Sequence, residues 1–209
     1  MKKWFLTGPT KSDISRFKNY ENCGFVILGD AELLNRKVVK KIDKKNTYYC
    51  VRGLDEKPKY LENLKSQYDE DIHGMVWLDP KYPYIKFLED GEIYTFGNAK
   101  TLVLGGGTDL NADAELLKRN QYLTLDTSLS EPEQLLKRLK GREIDVVLTY
   151  TAKIKELKGE TEEWIDKILR VTKWKYWIIG RFKEDVNISD RIMYINEDII
   201  NFDNFSSQN

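Results

Sequence analysis

The sequence predicts an α/β domain in which two β-sheets pack face to face with helices outside them. In the first third of the chain, apolar strands alternate with amphipathic helices, as in a layered α/β sheet. The middle instead carries four short strands separated by turn residues, as in an antiparallel meander. The two patterns indicate two sheets, so we expect a sandwich with helices outside. Residues 1–203 are predicted to form this single domain, and residues 204–209 a flexible tail.

The composition of the 209 residues narrows the function classes. Lys plus Arg equals Asp plus Glu at 34 each, so net charge gives no nonspecific attraction to nucleic acid or to anionic membranes. The longest apolar runs, such as residues 25–28, are far shorter than the roughly 20 residues of a membrane helix, and a cytoplasmic protein is expected. Cys23 and Cys50 are predicted to be buried free thiols. His73 is the single histidine, which argues against most histidine-based chemistry.

The elements of the first third follow from apolar spacing. Cys23–Leu28 is apolar throughout, which is typical of a strand buried on both faces. Leu34 and Val38 lie on one face of the next predicted helix, whose other face is rich in lysine. The predicted elements, in order, are a strand at Lys3–Thr7, a helix at 13–20, a strand at Cys23–Leu28, a helix at 33–43, a strand at Thr47–Val51 and a helix at 58–68.

The remaining elements are predicted from turn residues and helix caps. The segment 89–92 has the turn chemistry of a hairpin, and a capping box at 130–133 precedes a stripe of leucines. Thr161 can cap another helix. The predicted elements are strands at 75–77, Ile85–Leu88, Ile93–Phe96, 101–104 and 144–148, helices at 113–120, after 130–133 and after 161, a strand ending at Gly180, and a closing hairpin of 192–195 with 199–202.

A glycine followed or preceded by polar residues ends several of the predicted strands. The clearest case is the strand that stops at Gly180, because Arg181 and Lys183 then extend to one side of the following loop. Gly29-Asp30 and Arg52-Gly53 follow two other strands in the same manner. We therefore expect a site where these strand ends meet.

Together, the strand-end segments resemble the calcineurin-like metallophosphoesterases, particularly a small bacterial and phage-type branch, over about residues 1–200. In that family the segments read Gly-Asp-x-His, Gly-Asp, Gly-Asn-His-Asp/Glu, a later histidine after a strand, and Gly-His-x-His. The resemblance implies a four-layered αββα sandwich, with two mixed sheets flanked by helices. The matching segments here, in the same order, are Gly8-Pro9-Thr10-Lys11, Gly29-Asp30, Gly53-Leu54-Asp55-Glu56, Thr149-Tyr150 and Gly180-Arg181-Phe182-Lys183.

The metal ligands of that family are largely replaced in this chain. Two divalent ions about 3.5–4 Å apart need oxygen and imidazole ligands, which the family supplies from aspartate, asparagine and histidine. Among the matching positions here only Asp30 remains as a plausible metal ligand. Pro9 and Leu54 offer no donor atom, and Asp55 stands where the catalytic histidine would be. The resemblance therefore implies a pseudoenzyme with no catalytic residue, no metal site and no cofactor.

Cations stand at several positions where that family has metal ligands, and two interpretations of these cations stay open. Lys11, Arg181 and Lys183 would project where metal ions supply positive charge, so the pocket would bind a phosphate or nucleotide without generating a hydroxide nucleophile. Alternatively, Asp30 and Asp55 neutralise Lys11 and Arg181 in an internal ion-pair cluster. The predicted ligand-binding residues are Lys11, Asp30, Arg52, Asp55, Tyr150, Arg181 and Lys183.

Two other functions are compatible with the same sequence. A protein-binding inhibitor or regulatory pseudoenzyme would use its outer surface, for instance the lysine-rich segment 36–45, and a residual metal-dependent phosphoesterase is the least favoured function. His73 lies in a motif that resembles a metal site, but it follows a charged segment and is expected in an exposed loop. The glycines at 105–107 are not followed by Lys-Ser/Thr, which favours a tight turn over a phosphate-binding loop.

Overall fold

The computed structural model describes residues 2–54, 63–107, 132–152 and 160–205. Within these ranges the protein forms two helices, α1 (Pro132–Leu139) and α2 (Glu160–Val171), and two 3-10 helices, Ser15–Phe17 and Phe202–Phe205. The strands are β1 (Lys3–Thr7), β2 (Cys23–Leu28), β3 (Thr47–Val51), β4 (Lys65–Asp69), β5 (Gly74–Leu78), β6 (Ile85–Leu88), β7 (Ile93–Phe96), β8 (Ala99–Leu104), β9 (Glu143–Thr149), β10 (Lys173–Ile179), β11 (Val186–Ser189), β12 (Ile192–Tyr194) and β13 (Ile199–Asn201).

The described strands form two mixed sheets, as the sequence predicts. Sheet A has seven strands in the order β13-β1-β2-β3-β6-β5-β4, and sheet B has six in the order β11-β12-β10-β9-β8-β7. The centre of each sheet is parallel, from β1 to β6 in sheet A and from β12 to β8 in sheet B, and the edge strands are antiparallel. The carboxyl ends of neighbouring parallel strands therefore meet at one edge of each sheet.

The main core lies between the two sheets. All six residues of β2 are buried, which confirms the prediction made from its apolar run. Cys23 and Cys50 are buried free thiols, as predicted. Burying one such aliphatic side chain stabilises the fold by about 1.5–3 kcal/mol, so this layer is a large term in stability. Its aliphatic residues include Leu6, Val26, Leu28 and Val51 from sheet A and Val103, Val146, Leu148 and Ile178 from sheet B.

The outer faces of the two sheets are covered differently. Sheet B packs against α1 and α2, whose buried residues are the predicted leucine stripe and the isoleucines after Thr161. Sheet A is covered by residues 14–20 and 31–42, but the predicted helices at 13–20 and 33–43 are wrong. The first contains only the 3-10 helix Ser15–Phe17, and the second is a series of turns. The predicted helix at 33–43 is interrupted because a side chain accepts a local backbone N–H group: Asn35 Oδ1 accepts the N–H of Lys37 at 3.0 Å.

The predicted meander is wrong because its strands divide between the sheets. β5 pairs with β6 in sheet A and β7 pairs with β8 in sheet B, so residues 89–92 cross from one sheet to the other instead of closing a hairpin. Asp90 holds this crossover, because its Oδ1 accepts the N–H of Gly105 at 2.6 Å. The predicted helix at 58–68 is also wrong over its last four residues, which belong to β4. Its earlier part, and the predicted helix at 113–120, lie partly or wholly outside the described residues.

The predicted closing hairpin is wrong as well. β12 pairs with β11, and β13 crosses to sheet A, where it lies antiparallel to β1. The 3-10 helix that follows buries Phe205 against the inter-sheet core, two residues beyond the predicted domain boundary. His73 is exposed in the turn between β4 and β5, as predicted. Neither described helix is long and apolar enough to cross a bilayer.

Buried tyrosines predict a loss of stability at alkaline pH. Burial raises the pKa of Tyr48 from 10.0 to about 12, and it also raises the pKa of Tyr49 and Tyr94 above the ordinary value. Unfolded tyrosines ionise near pH 10, so above that pH the unfolded state binds fewer protons than the folded state. Each such tyrosine then lowers the free energy of unfolding by about 1.4 kcal/mol per pH unit, and its full contribution is present only below about pH 10.

Thermal denaturation followed by circular dichroism between pH 8 and pH 12 measures this loss (about two units on either side of the tyrosine pKa). Tyr49→Phe removes one of the titrating groups, so the melting temperature of this variant should fall less steeply above pH 10 than that of the wild type. Identical slopes for the two proteins would show that Tyr49 does not keep its proton in the folded state.

Candidate functional site

The strand ends of sheet A contact those of sheet B and form what we call the strand-end cluster, which comprises Asp30, Arg52, Asp90, Tyr150, Glu162 and Arg181. The ends of β3 and β8 are joined where the N–H of Gly106 donates to the carbonyl oxygen of Arg52 at 2.8 Å. The ends of β2 and β10 touch at Gly180, where a Cβ atom would lie 2.4 Å from the carbonyl oxygen of Leu28. The expected meeting of strand ends is therefore present in the structure.

Tyr150 fills the space between the ends of β2 and β9. Its hydroxyl donates to Asp30 Oδ2 at 2.5 Å, and both side chains are buried. The Tyr150 ring lies against Gly29, where a Cβ atom would be 2.0 Å from the ring. The backbone is left-handed at both Gly29 and Asp30, with φ of 78° and 42°, which turns the Asp30 side chain towards the phenol. Asp30, the residue expected from the sequence to be the one plausible metal ligand, is thus hydrogen-bonded to a tyrosine.

Arg52 and Asp90 form a buried ion pair beside this tyrosine–aspartate pair. Their side chains are 4% and 3% exposed, and the carboxylate of Asp90 also accepts the N–H of Gly105. A charge at such a depth needs a charged partner, because an unpaired buried ion costs several kcal/mol. The Arg52 guanidinium therefore faces Asp90 inside the protein, where it joins the end of β3 to the crossover at 89–92 and to the end of β8.

Arg181 lies at the rim of the cluster. Its side chain is 17% exposed, and its Nη1 lies 3.6 Å from Glu162 Oε1 and 3.4 Å from Thr151 Oγ1. Thr151 donates to the same carboxylate oxygen at 2.9 Å, and Glu162 on α2 is fully buried. The guanidinium carbon is 6.0 Å from the centre of the Tyr150 ring. Both polar contacts use Nη1, and no described residue accepts a hydrogen bond from Nε or Nη2 of Arg181.

The loop that contains Arg181 is hydrogen-bonded to the segment 195–198. The Asp185 carboxylate accepts the backbone N–H groups of Asn196, Glu197 and Asp198 at 2.7, 3.1 and 3.2 Å. The Phe182 ring stacks on Tyr194 with 4.0 Å between the ring centres. These contacts fix the backbone on the far side of Arg181, so the guanidinium is positioned from both directions.

Two lysines lie near the cluster with their side chains in solvent. Lys11 has φ of 45° and its N–H donates to the carbonyl oxygen of Asp30 at 2.9 Å, which places it next to the end of β2. Lys183 is exposed in the loop after Arg181, where its carbonyl oxygen accepts Asn196 Nδ2 at 3.1 Å. Both lysines add positive charge to the surface around the rim.

The structure places six of the seven predicted site residues. Asp30, Tyr150 and Arg181 are brought together. Lys11 and Lys183 lie at the surface nearby, and Arg52 is buried in the interior. Asp55 lies outside the described residues. Among the described residues, the carboxylate that pairs with Arg181 belongs to Glu162, which the sequence suggests only as part of a helix start.

Glu162 and Asp90 were missed because their partners are distant in sequence. Asp90 lies in the segment with the turn composition of a hairpin, and Glu162 follows the predicted cap Thr161, so each has a local explanation. The signal that could have found them is the presence of strand-end arginines, because a buried or half-buried guanidinium requires a carboxylate from another segment.

Acidic side chains in the described residues are not arranged as a metal site. No group of three or more histidine, cysteine, aspartate or glutamate side chains in the part of the chain that the structure describes could hold a metal ion. Comparisons with protein-family models, with curated proteins and with solved structures found no match to this chain.

Proposed function

We propose that this protein is a non-catalytic binding protein with a metallophosphoesterase-like αββα sandwich, and that it holds a phosphate-bearing ligand, such as a nucleotide, at the rim of the strand-end cluster. Arg181 binds the phosphate, and Lys11 and Lys183 attract it. The order of the strand-end segments along the chain supports the family part of the proposal. The observation that carries the binding part is the placement of the Arg181 guanidinium.

The Arg181 guanidinium combines a fixed position with unused donors. Glu162 and Thr151 both contact Nη1, so Nε and Nη2 remain as a pair of parallel N–H donors with no acceptor among the described residues. This pair matches two oxygens of a phosphate group. The 3.6 Å separation from Glu162 is longer than the about 2.7–2.9 Å of a strong charge-assisted bond, so the existing pair does not saturate the cation.

The same cluster is poorly suited to hydrolysis. Phosphoester hydrolysis at a metal site needs a bound hydroxide. Among the described residues the Asp30 carboxylate accepts a hydrogen bond from Tyr150, and the Asp90 and Glu162 carboxylates lie beside arginines, so these groups do not form a metal site that would generate the hydroxide. Lysine and arginine neutralise phosphate charge but supply no nucleophile. Binding without turnover is the chemistry that this set of residues favours.

Titration calorimetry with inorganic phosphate, pyrophosphate and adenosine nucleotides tests the binding. Arg181→Gln should weaken binding about 10-fold or more, because a hydrogen bond to a charged group contributes about 1.5–3 kcal/mol. Arg170→Gln is the matched control, since Arg170 is 75% exposed on α2 and pairs only at the surface with Asp166. Binding in the wild type that Arg181→Gln weakens and Arg170→Gln leaves unchanged is the expected result.

Three results would overturn this function. If none of the phosphate compounds binds, or if both arginine variants bind equally well, the rim of the cluster is not the ligand site. If the wild type hydrolyses bis(4-nitrophenyl) phosphate in the presence of manganese and Asp30→Asn abolishes that turnover, the protein is an enzyme. We expect no release of nitrophenolate above the rate without protein.

A further inference from the structure

Phe182 and Tyr194 form a stacked pair of half-buried rings next to Arg181 in the chain, which we call the ring pair. The ring centres are 4.0 Å apart, and the ring planes are inclined by 28°. Neither ring belongs to one of the three hydrophobic clusters of the described residues. Aromatic side chains dominate protein cores because their burial removes a large apolar surface from water. The ring pair instead keeps part of its aromatic surface in contact with solvent.

The ring pair lies on the same side of sheet B as the helix that contacts Arg181. Tyr194 is in register with Ile179, which shares a face of β10 with Trp177, two residues earlier. Trp177 packs against the hydrophobic cluster between sheet B and its two helices. One of these helices, α2, supplies Glu162, whose carboxylate lies 3.6 Å from Arg181 Nη1. The ring pair and the Arg181 guanidinium therefore both border the α2 side of the sheet.

A small ligand can reach the ring pair and the Arg181 guanidinium together. Arg181 and Phe182 are consecutive, and consecutive Cα atoms are about 3.8 Å apart. The Tyr194 hydroxyl makes no hydrogen bond with another described residue and is not buried, so it is available to polar atoms of a ligand. A molecule that fits both features has an anionic group and a flat ring joined by a short linker.

The charged side chains around the ring pair favour a neutral ring over a second anion. The loop carries two cations, Arg181 and Lys183, and two anions, Glu184 and Asp185. The Asp185 carboxylate is already held by the backbone N–H groups of residues 196–198. Stacking of a base on an aromatic side chain depends on contact between two π-faces and needs no net charge. The balanced charge of this loop therefore does not oppose stacking.

We propose that the ring pair binds the base of a nucleotide whose phosphate is bound by Arg181. In a nucleotide one sugar separates the base from the first phosphate, which is the short linker that two adjacent residues require. This inference rests on the proposed phosphate site and names the class of ligand that the site holds. Stacking on an aromatic side chain strengthens the binding of a base by about 5-fold or more. A nucleotide therefore binds more tightly than a sugar phosphate that has the same anionic group.

Titration calorimetry with adenosine monophosphate and ribose-5-phosphate tests this preference, because the two compounds carry the same phosphate monoester and differ in the base. The wild type should bind the nucleotide about 5-fold or more tightly than the sugar phosphate. Phe182→Leu should remove the preference and leave the affinity for ribose-5-phosphate unchanged, because Arg181 is retained. Tyr82→Leu is the matched control, since Tyr82 is a half-buried ring beside Tyr84 on the outer face of sheet A, and it should keep the preference.

The possible contrary outcomes separate this inference from the proposed function. Equal affinity of the wild type for both compounds, with binding that Arg181→Gln still weakens, would overturn the role of the ring pair and leave the phosphate site in place. Equal weakening of both compounds by Phe182→Leu would also overturn it, because the ring would then only position Arg181. Binding of neither compound by the wild type would overturn the inference and the proposed function together.

A measurement on the wild type alone avoids any effect of substitution on folding. In saturation-transfer difference NMR with adenosine monophosphate, the protons closest to the protein receive the most magnetisation. The adenine protons should receive more than the ribose protons, because the base lies on Phe182 and Tyr194. Stronger transfer to the ribose protons would show that the base extends into solvent and would contradict the stacked arrangement.

Discussion

Replacing Gly29 by alanine is expected to lower the free energy of unfolding by about 2–5 kcal/mol. The new methyl group would lie 2.0 Å from Cδ2 and 2.6 Å from Cε2 of the buried Tyr150 ring, so the ring or the strand must move. Overpacking of this kind costs about 1–3 kcal/mol. The backbone at Gly29 has φ of 78°, and a side chain in this left-handed region costs about 1–2 kcal/mol more.

A matched glycine separates these two causes. Gly141 has φ of 73°, but nothing lies within 4 Å of a Cβ atom there, so Gly141→Ala should show only the backbone cost. Urea denaturation of both variants, and of Gly29→Ala in a Tyr150→Ala background, measures the difference. The cost at Gly29 should fall towards the cost at Gly141 once the ring is removed. Equal costs at both glycines in the wild-type background would show that the ring does not fill the space beside Gly29.

Removing the Arg52 charge is expected to lower the free energy of unfolding by about 3–5 kcal/mol, because Arg52→Met leaves the buried Asp90 carboxylate without its cation. Arg170→Met breaks an ion pair on the surface of α2 and should cost less than about 1 kcal/mol. Urea denaturation measures both variants. A loss at Arg52 no greater than that at Arg170 would contradict the burial of this ion pair.

A double variant tests whether the cost arises from the unpaired charge. Asp90→Asn keeps an oxygen that can accept the N–H of Gly105, so Arg52→Met/Asp90→Asn contains no buried charge at this point. The double variant should therefore be more stable than Arg52→Met alone. The opposite result is a double variant that is less stable than Arg52→Met by as much as Asp90→Asn alone destabilises the wild type. The two side chains would then contribute independently to stability, and the ion pair would not be coupled.

The parallel strands were predictable because burial on both faces leaves a continuous apolar run. Cys23–Leu28 is such a run, and its position in the middle of sheet A follows from it. The segment 33–43 was not predictable in the same way. Its apolar residues do face the sheet, but the Asn35 and Asp43 side chains bind nearby N–H groups, and this local competition gives turns with the same buried face as a helix.

The strand-end arginines and Asp30 were predictable as a group, since each follows or precedes a glycine at the end of a parallel strand. Their partners were not. The pairing of Arg52 with Asp90 and of Arg181 with Glu162 depends on the crossover between the sheets and on the packing of α2, which no local pattern encodes. The sequence therefore indicates which strand ends form the cluster, and only the tertiary contacts show that Arg181 is the cation at its rim.

The most direct test of phosphate binding is the NMR signal of the Arg181 side chain. In protein labelled with nitrogen-15 arginine, the Nε–H resonance of Arg181 is identified by its loss in Arg181→Gln and is then followed during titration with pyrophosphate. We expect this resonance to shift to saturation while that of the surface residue Arg170 stays in place. A saturating excess of pyrophosphate that leaves the Arg181 resonance unmoved would show that the strand-end cluster is an internal ion-pair assembly and not a binding site.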